Sequence, residues 1–215
     1  MRIHPNAKIL IIQALDASDI EVLDKEIALI EERVDIPFHY VGYLVKNWQD
    51  EMSPWEMAPI FGKVPFGGKA KEVISELEKD LFVTLKNELE YETCILSGYS
   101  LAGLFALYAG YETKSFDGIV AVSPSVWFDD WDKYIDIHKL KADYIYLSLG
   151  NKEEKTKNPI MAKVKERIIL QEEKLRNNHD VILKWNEGNH FMDVEKRMAS
   201  GLIWALQKVE KKMVE

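Results

Sequence analysis

A single cysteine, Cys94, stands in a chain of 215 residues, which excludes an internal disulfide and any cysteine-rich metal site. It lies in an apolar run, where a thiol serves as a small buried hydrophobe, and this usage suits a reducing cytoplasm. Apolar runs are short throughout: none reaches the roughly 18 residues that a transmembrane helix needs. Met1 to Lys8 carry His4, Pro5 and Asn6 where a secretory signal would need an apolar segment, so a cytoplasmic protein is expected. Positive charge is also scarce, with 28 Lys and Arg against 36 Asp and Glu and a formal net charge of -8. Binding nucleic acid or an anionic membrane by charge requires a basic face, and neither partner is expected. The sequence contains no internal repeat and no low-complexity segment.

What is present is core. With 47% apolar and 11% aromatic residues, the chain can bury a full interior, and a single domain over residues 1–215 is expected. Residues 8–13 (KILIIQ) read as a first strand, followed by the polar patch Ala14 to Ser18. Ser18 and Glu21 have the spacing of a capping box, and the helix they start is expected to reach Val34, with Ile20, Leu23, Ile27 and Ile30 on one face. Residues 38–45 (FHYVGYLV) form a second strand rich in aromatic and branched side chains. Residues 46–68 show no periodicity but hold Trp48, Trp55, Phe61 and Phe66 among prolines and glycines. A loop of that length is a pocket wall or lid, a satellite core, or both.

Residues 69–88 place Val73, Leu77, Leu81 and Leu85 at steps of four, a continuous amphipathic helix. Further strands are expected at 93–96, 116–122, 143–149 and 181–185, with helices after each, the last from about Met192. Asp129, Asp130 and Asp132 fit either a solvated helix start or a metal site, and Asn158-Pro159 fits a capped helix start. Six strands alternating with helices give a parallel sheet covered on both faces, and a central first strand gives the order 2-1-3-4-5-6. The ligand crevice then lies at the carboxyl ends of the strands, between the loop after Gln13 and the turn at Ser100.

That turn, Ser97-Gly98-Tyr99-Ser100-Leu101-Ala102-Gly103, joins a short strand to a segment that is apolar on every face. It reads as strand, sharp turn, buried helix, with Ser100 at the apex and the helix's first amides facing any anion formed there. Glycine-flanked serines are common in plain turns. A phosphate-binding loop fails, since Leu104 and Phe105 follow Gly103 where a Lys-Ser/Thr pair is required. The catalytic reading gains from position: Glu153 follows the fifth strand in a Gly-x-x-Glu turn, and His190 follows the last strand. Serine, acid and histidine in that chain order, each at a strand's carboxyl end, match the α/β-hydrolase arrangement. Glu154 competes with Glu153 for the acid.

The pieces GYSLAGLFAL (98–107), SPSVWF (123–128), LGNKEE (149–154) and EGNHF (187–191) together resemble the α/β-hydrolases of the esterase group that includes enterochelin (siderophore) esterases and esterase D. The resemblance implies the α/β-hydrolase fold without its two N-terminal strands. It implies a serine hydrolase that cleaves carboxylic esters through an acyl-enzyme on Ser100, with His190 as base, Glu153 as its partner, and neither metal nor cofactor. The Leu101 amide would stabilise the oxyanion. Leu15-Asp16 resembles that group's Leu-Asp-Gly loop, so Asp16 or Ala17 would add a second amide, with Ala17 standing in place of the glycine. Trp48, Trp55 and Trp127 follow strands on the same edge and are expected to wall a pocket for a small-molecule ester, unless they pin the long loop. A siderophore esterase, an acyltransferase using the same triad and a non-catalytic binding module are the alternatives. No basic cluster for an anionic siderophore is evident among the pocket loops.

Overall fold

The computed structural model describes residues 1–214, apart from the side chains of residues 80, 86, 87 and 214. Its centre is β1 (Ile9–Leu15), all seven residues of which are buried, as a strand covered on both faces of a parallel sheet must be. On one side β1 pairs in parallel with β2 (Phe38–Leu44), and on the other with β5 (Thr93–Tyr99). The sheet continues in parallel through β6 (Gly118–Val122) and β7 (Tyr144–Gly150) to β8 (Asp180–Asn186). The six strands lie in the order β2-β1-β5-β6-β7-β8, which is the expected 2-1-3-4-5-6 once a separate two-stranded ribbon is counted apart. β8 is an edge strand, and its burial alternates instead of being continuous.

One face of the sheet carries α1 (Ile20–Glu31) and α8 (Val194–Val214), which enclose a core of Ile9, Ile11, Ile27, Tyr40, Val120, Leu202 and Leu206. The other face carries α3 (Ala70–Glu76), α4 (Phe82–Glu88), α5 (Leu101–Glu112), α6 (Trp131–Ile137) and α7 (Val164–Leu175) over the larger core. Residues Leu101 to Tyr111 of α5 are all buried, which explains why that segment shows no amphipathic stripe in sequence. No helix of the described residues is long and apolar enough to cross a membrane.

Four local expectations are corrected. α1 has no capping box: Asp16 takes the Ser18 and Asp19 amides and the Ser18 hydroxyl, so the serine is spent on its neighbour and α1 starts at Ile20 without a side-chain cap. The 70–88 helix contains a π turn at Leu77–Leu81 between α3 and α4. The long loop is ordered and also holds regular elements, α2 (Trp48–Glu51) and a ribbon of β3 (Glu56–Met57) and β4 (Phe66–Gly67). Asn158 accepts from the Ile160 and Met161 amides, but it starts the 3-10 turn Met161–Lys163 and α7 follows from Val164.

Candidate active site

β5 ends at Tyr99 and α5 begins at Leu101, leaving Ser100 alone at the junction with φ 59° and ψ -120°. This left-handed conformation is strained for a residue with a side chain and persists only because its surroundings hold it. The Ser100 amide donates to the Val122 carbonyl at 3.0 Å, and the Ser125 amide donates to the Ser100 carbonyl at 3.0 Å. Gly98 is required here because a Cβ at that position would overlap the Ala102 carbonyl. Leu101, as the first helical residue, leaves its amide without an intrahelical acceptor, next to the Ser100 side chain.

The structure brings Ser100, Glu153 and His190 together. Ser100 Oγ lies 2.9 Å from His190 Nε2, and His190 Nδ1 lies 2.7 Å from Glu153 Oε2. The carboxylate can only accept, so Nδ1 carries the proton and Nε2 is free to accept from the serine hydroxyl. The Glu153 side chain is 4% exposed. Burial pushes its carboxyl up most strongly, but the hydrogen bonds and charge of His190, the Ser123 hydroxyl and the Gly150 amide together hold it below the usual range. Oε1 accepts from Ser123 Oγ at 2.7 Å and from the Gly150 amide at 2.7 Å, which leaves Oε2 for the imidazole. Glu154 turns away to Lys165 at 2.9 Å.

Three polar contributors escaped the sequence reading. Ser123, at φ 46°, closes β6 and fixes Glu153. The Tyr99 hydroxyl donates to the His190 carbonyl at 2.6 Å. Arg197, from the first turn of α8 and 3% exposed, reaches Glu153 Oε1 at 3.1 Å. Their partners lie 30, 91 and 44 residues away in sequence, so no local spacing announces them. The one sequence signal is an arginine bordering the apolar face of the last helix.

A cavity of about 560 Å³ opens over Ser100, His190 and Glu153 and is walled by Trp48, Phe66, Trp127, Met161 and Val164. Phe61 and Phe191, 49% and 84% exposed, form an apolar rim. Trp55 is not in the wall. It stacks on Trp131 at 6.3 Å between ring centroids and donates from Nε1 to the Asp129 carbonyl at 3.1 Å, pinning the ribbon to α6. Lys152 and Lys155, delivered by the loop after β7, also line the cavity, a pair of basic groups where the sequence shows no clear basic cluster. The Asp16 amide is engaged by the Asp19 carboxylate at 2.8 Å, so it is not a free oxyanion donor, and Ala17 carries that expectation alone. Asp132 pairs with Arg167, and Asp130 with Lys133 at 2.6 Å, which gives these two carboxylates a structural use. No group of three metal-binding side chains occurs among the described residues.

No protein-family model and no curated protein sequence matches the chain. Solved structures do match. An IroE-like serine hydrolase from Shewanella oneidensis aligns at 17% identity and TM-score 0.76, over 94% of this chain and 71% of that one. The siderophore hydrolase EstA from Aspergillus nidulans aligns at 17% identity and TM-score 0.68, over 94% and 83%. The enterobactin esterase FES from Shigella flexneri aligns at 15% identity and TM-score 0.68, over 94% of this chain and 53% of that one, so the chain spans about half of FES. At these identities the likeness is one of fold: the chain has the α/β-hydrolase fold that these hydrolases and esterases share.

Proposed function

We propose that the protein is a serine hydrolase of carboxylic esters that works through an acyl-enzyme on Ser100. The observation that carries this reading is the unbroken chain Ser100 Oγ, His190 Nε2, His190 Nδ1, Glu153 Oε2, with links of 2.9 and 2.7 Å. Ser100 Oγ attacks the ester carbonyl while its proton passes to His190 Nε2, and the imidazolium is stabilised by Glu153. The tetrahedral oxyanion is held by the Leu101 amide, joined by a donor from the loop at Ala17. One such donor is typically worth about 3 kcal/mol of barrier. The imidazolium returns its proton to the leaving alkoxide, and water repeats the sequence to free the acid. The apolar wall and rim favour esters with an apolar or aromatic group. The buried, free Cys94 suits action in the cytoplasm, within one domain spanning residues 1–215.

Lys152 and Lys155 in the cavity lining, together with the fold shared with siderophore hydrolases, favour an anionic siderophore-type ester as a second, narrower reading. Hydrolysis of p-nitrophenyl butyrate tests the main reading: wild-type protein turns it over and Ser100→Ala does not. Retained turnover in that variant would remove the nucleophile assignment. Faster cleavage of a catecholate trilactone than of the butyrate ester would support the narrower reading. Transfer of the acyl group to added alcohol in place of water would make the protein an acyltransferase.

A further inference from the structure

Arg197 is the one guanidinium in contact with the Ser100, His190 and Glu153 cluster among the described residues, and its hydrogen bonds converge from three loops. Nη1 donates to Glu153 Oε1 at 3.1 Å, the nearest of three acceptors that also include Tyr99 Oη at 3.3 Å and Ser123 Oγ at 3.4 Å. Nη2 donates to the carbonyls of Glu187 at 2.6 Å and Asn189 at 3.0 Å, both in the short loop that ends at His190. The planar fork thus holds the acid with one nitrogen and the histidine loop with the other, a geometry that a lysine's single ammonium cannot copy. The side chains of Arg197 and Glu153 are 3% and 4% exposed, so water does not screen the pair, and each charge depends on the other for compensation.

Other hydrogen bonds already join the two loops. The Lys152 amide donates to the Gly188 carbonyl at 3.0 Å, and the Gly188 amide to Asn151 Oδ1 at 3.0 Å. A guanidinium is therefore not needed merely to hold the loops side by side. What it adds is orientation of the peptide that leads into His190, through the Asn189 carbonyl, and a positive charge against the acid. We infer that Arg197 is a positioning residue for the triad, which fixes the Glu153 carboxylate relative to His190 and offsets its charge, so that the base works against a compensated acid. The other ionisable groups that face the cluster do not substitute for it. Lys152 and Lys155 line the cavity but make no hydrogen bond to Glu153, burial pushes the Tyr99 phenol up, which keeps it neutral, and Asp193 is an exposed surface carboxylate paired with Lys196 at 2.7 Å.

The inference rests on the serine-esterase reading, and two variants test it by p-nitrophenyl butyrate hydrolysis normalised to titrated active serine. Arg197→Lys keeps the charge and loses the fork. It is expected to lower kcat about tenfold or more with KM within about twofold, because the ester contacts are untouched while the base is misaligned. Arg197→Gln loses the charge as well and is expected to move the acid limb of kcat/KM to higher pH by about one unit, since the imidazolium then faces an uncompensated carboxylate. A purely structural brace would lower the melting temperature and the fraction of titratable sites, while the rate per site and the acid limb stayed in place. A rate per site within about twofold of wild type, with the acid limb unmoved, overturns the inference. Should Arg197→Gln fail to fold, Arg197→Lys decides by its kcat. A wild-type protein without esterase activity overturns the esterase reading itself, a result distinct from active variants.

Discussion

Glu153 and Glu154 are neighbours in sequence with opposite partners: Glu153 Oε2 lies 2.7 Å from His190 Nδ1, while Glu154 Oε1 lies 2.9 Å from Lys165 Nζ at the surface. Glu153→Gln is expected to lower kcat by about 10³-fold or more, because an amide can neither fix the tautomer nor stabilise an imidazolium as a carboxylate does. Glu154→Gln loses an exposed ion pair and is expected to leave turnover within about twofold. Steady-state kinetics on a short p-nitrophenyl ester distinguish the two, and the reverse pattern would move the acid to Glu154.

The tryptophans separate by the same logic. Trp48 and Trp127 wall the cavity, whereas Trp55 is packed among Tyr108, Phe128, Trp131 and Tyr134. Trp48→Ala and Trp127→Ala are expected to raise KM for aryl esters more than for acetate esters, as happens when uniform binding is removed. Trp55→Ala is expected to lower stability by roughly 3 kcal/mol and leave the ratio of the two KM values unchanged. Equal KM losses on both ester types in the Trp48 and Trp127 variants would take these residues out of substrate binding.

Glu26, 3% exposed in α1, predicts a pH dependence of stability separate from catalysis. Its Oε2 accepts from Gln13 Nε2 at 3.2 Å, while Oε1 and the Tyr40 hydroxyl facing it have no partner. Burial first, and then the charges of Asp19 and Glu195, push its carboxyl up to about 8 against the lowering effect of the Gln13 bond and of the nearby Tyr40 hydroxyl. The ordinary value is 4.5, so between these two points the folded chain holds a proton that the unfolded chain has released, and stability falls as pH rises. The loss is complete above about 8 and is on the order of a few kcal/mol. Thermal unfolding from pH 5 to 9 should show the melting temperature of wild type falling relative to that of Glu26→Gln. Parallel curves would contradict the assignment.

The sheet order was legible because buried parallel strands write themselves as apolar runs; the serine and acid positions each follow such a run, and the histidine follows the last strand through a glycine-bearing loop. Where the reading failed, competing local chemistry or distant partners decided. Ser18 had the spacing of a cap, but the Asp16 carboxylate two residues earlier takes the Ser18 hydroxyl and amide, the groups that the box would use. Two-residue strands such as Glu56–Met57 and Phe66–Gly67 are too short to show a period. Trp55 shares its position after β2 with Trp48, yet the ribbon turns it toward α6, a tertiary fact with no sequence pattern. Arg197 is visible only once α8 is laid against the sheet and its two nitrogens meet loops from β7 and β8.

Labelling with a fluorophosphonate most directly tests the central claim that Ser100 is an activated nucleophile. The reagent phosphonylates a serine whose proton a neighbouring base removes far faster than an ordinary hydroxyl. Intact-mass and peptide mapping should show one phosphonyl group per chain, located on Ser100, formed rapidly in wild type, slowly in Glu153→Gln and not at all in Ser100→Ala. A wild-type chain that stays unlabelled, or one labelled elsewhere at the same rate in Ser100→Ala, would contradict it.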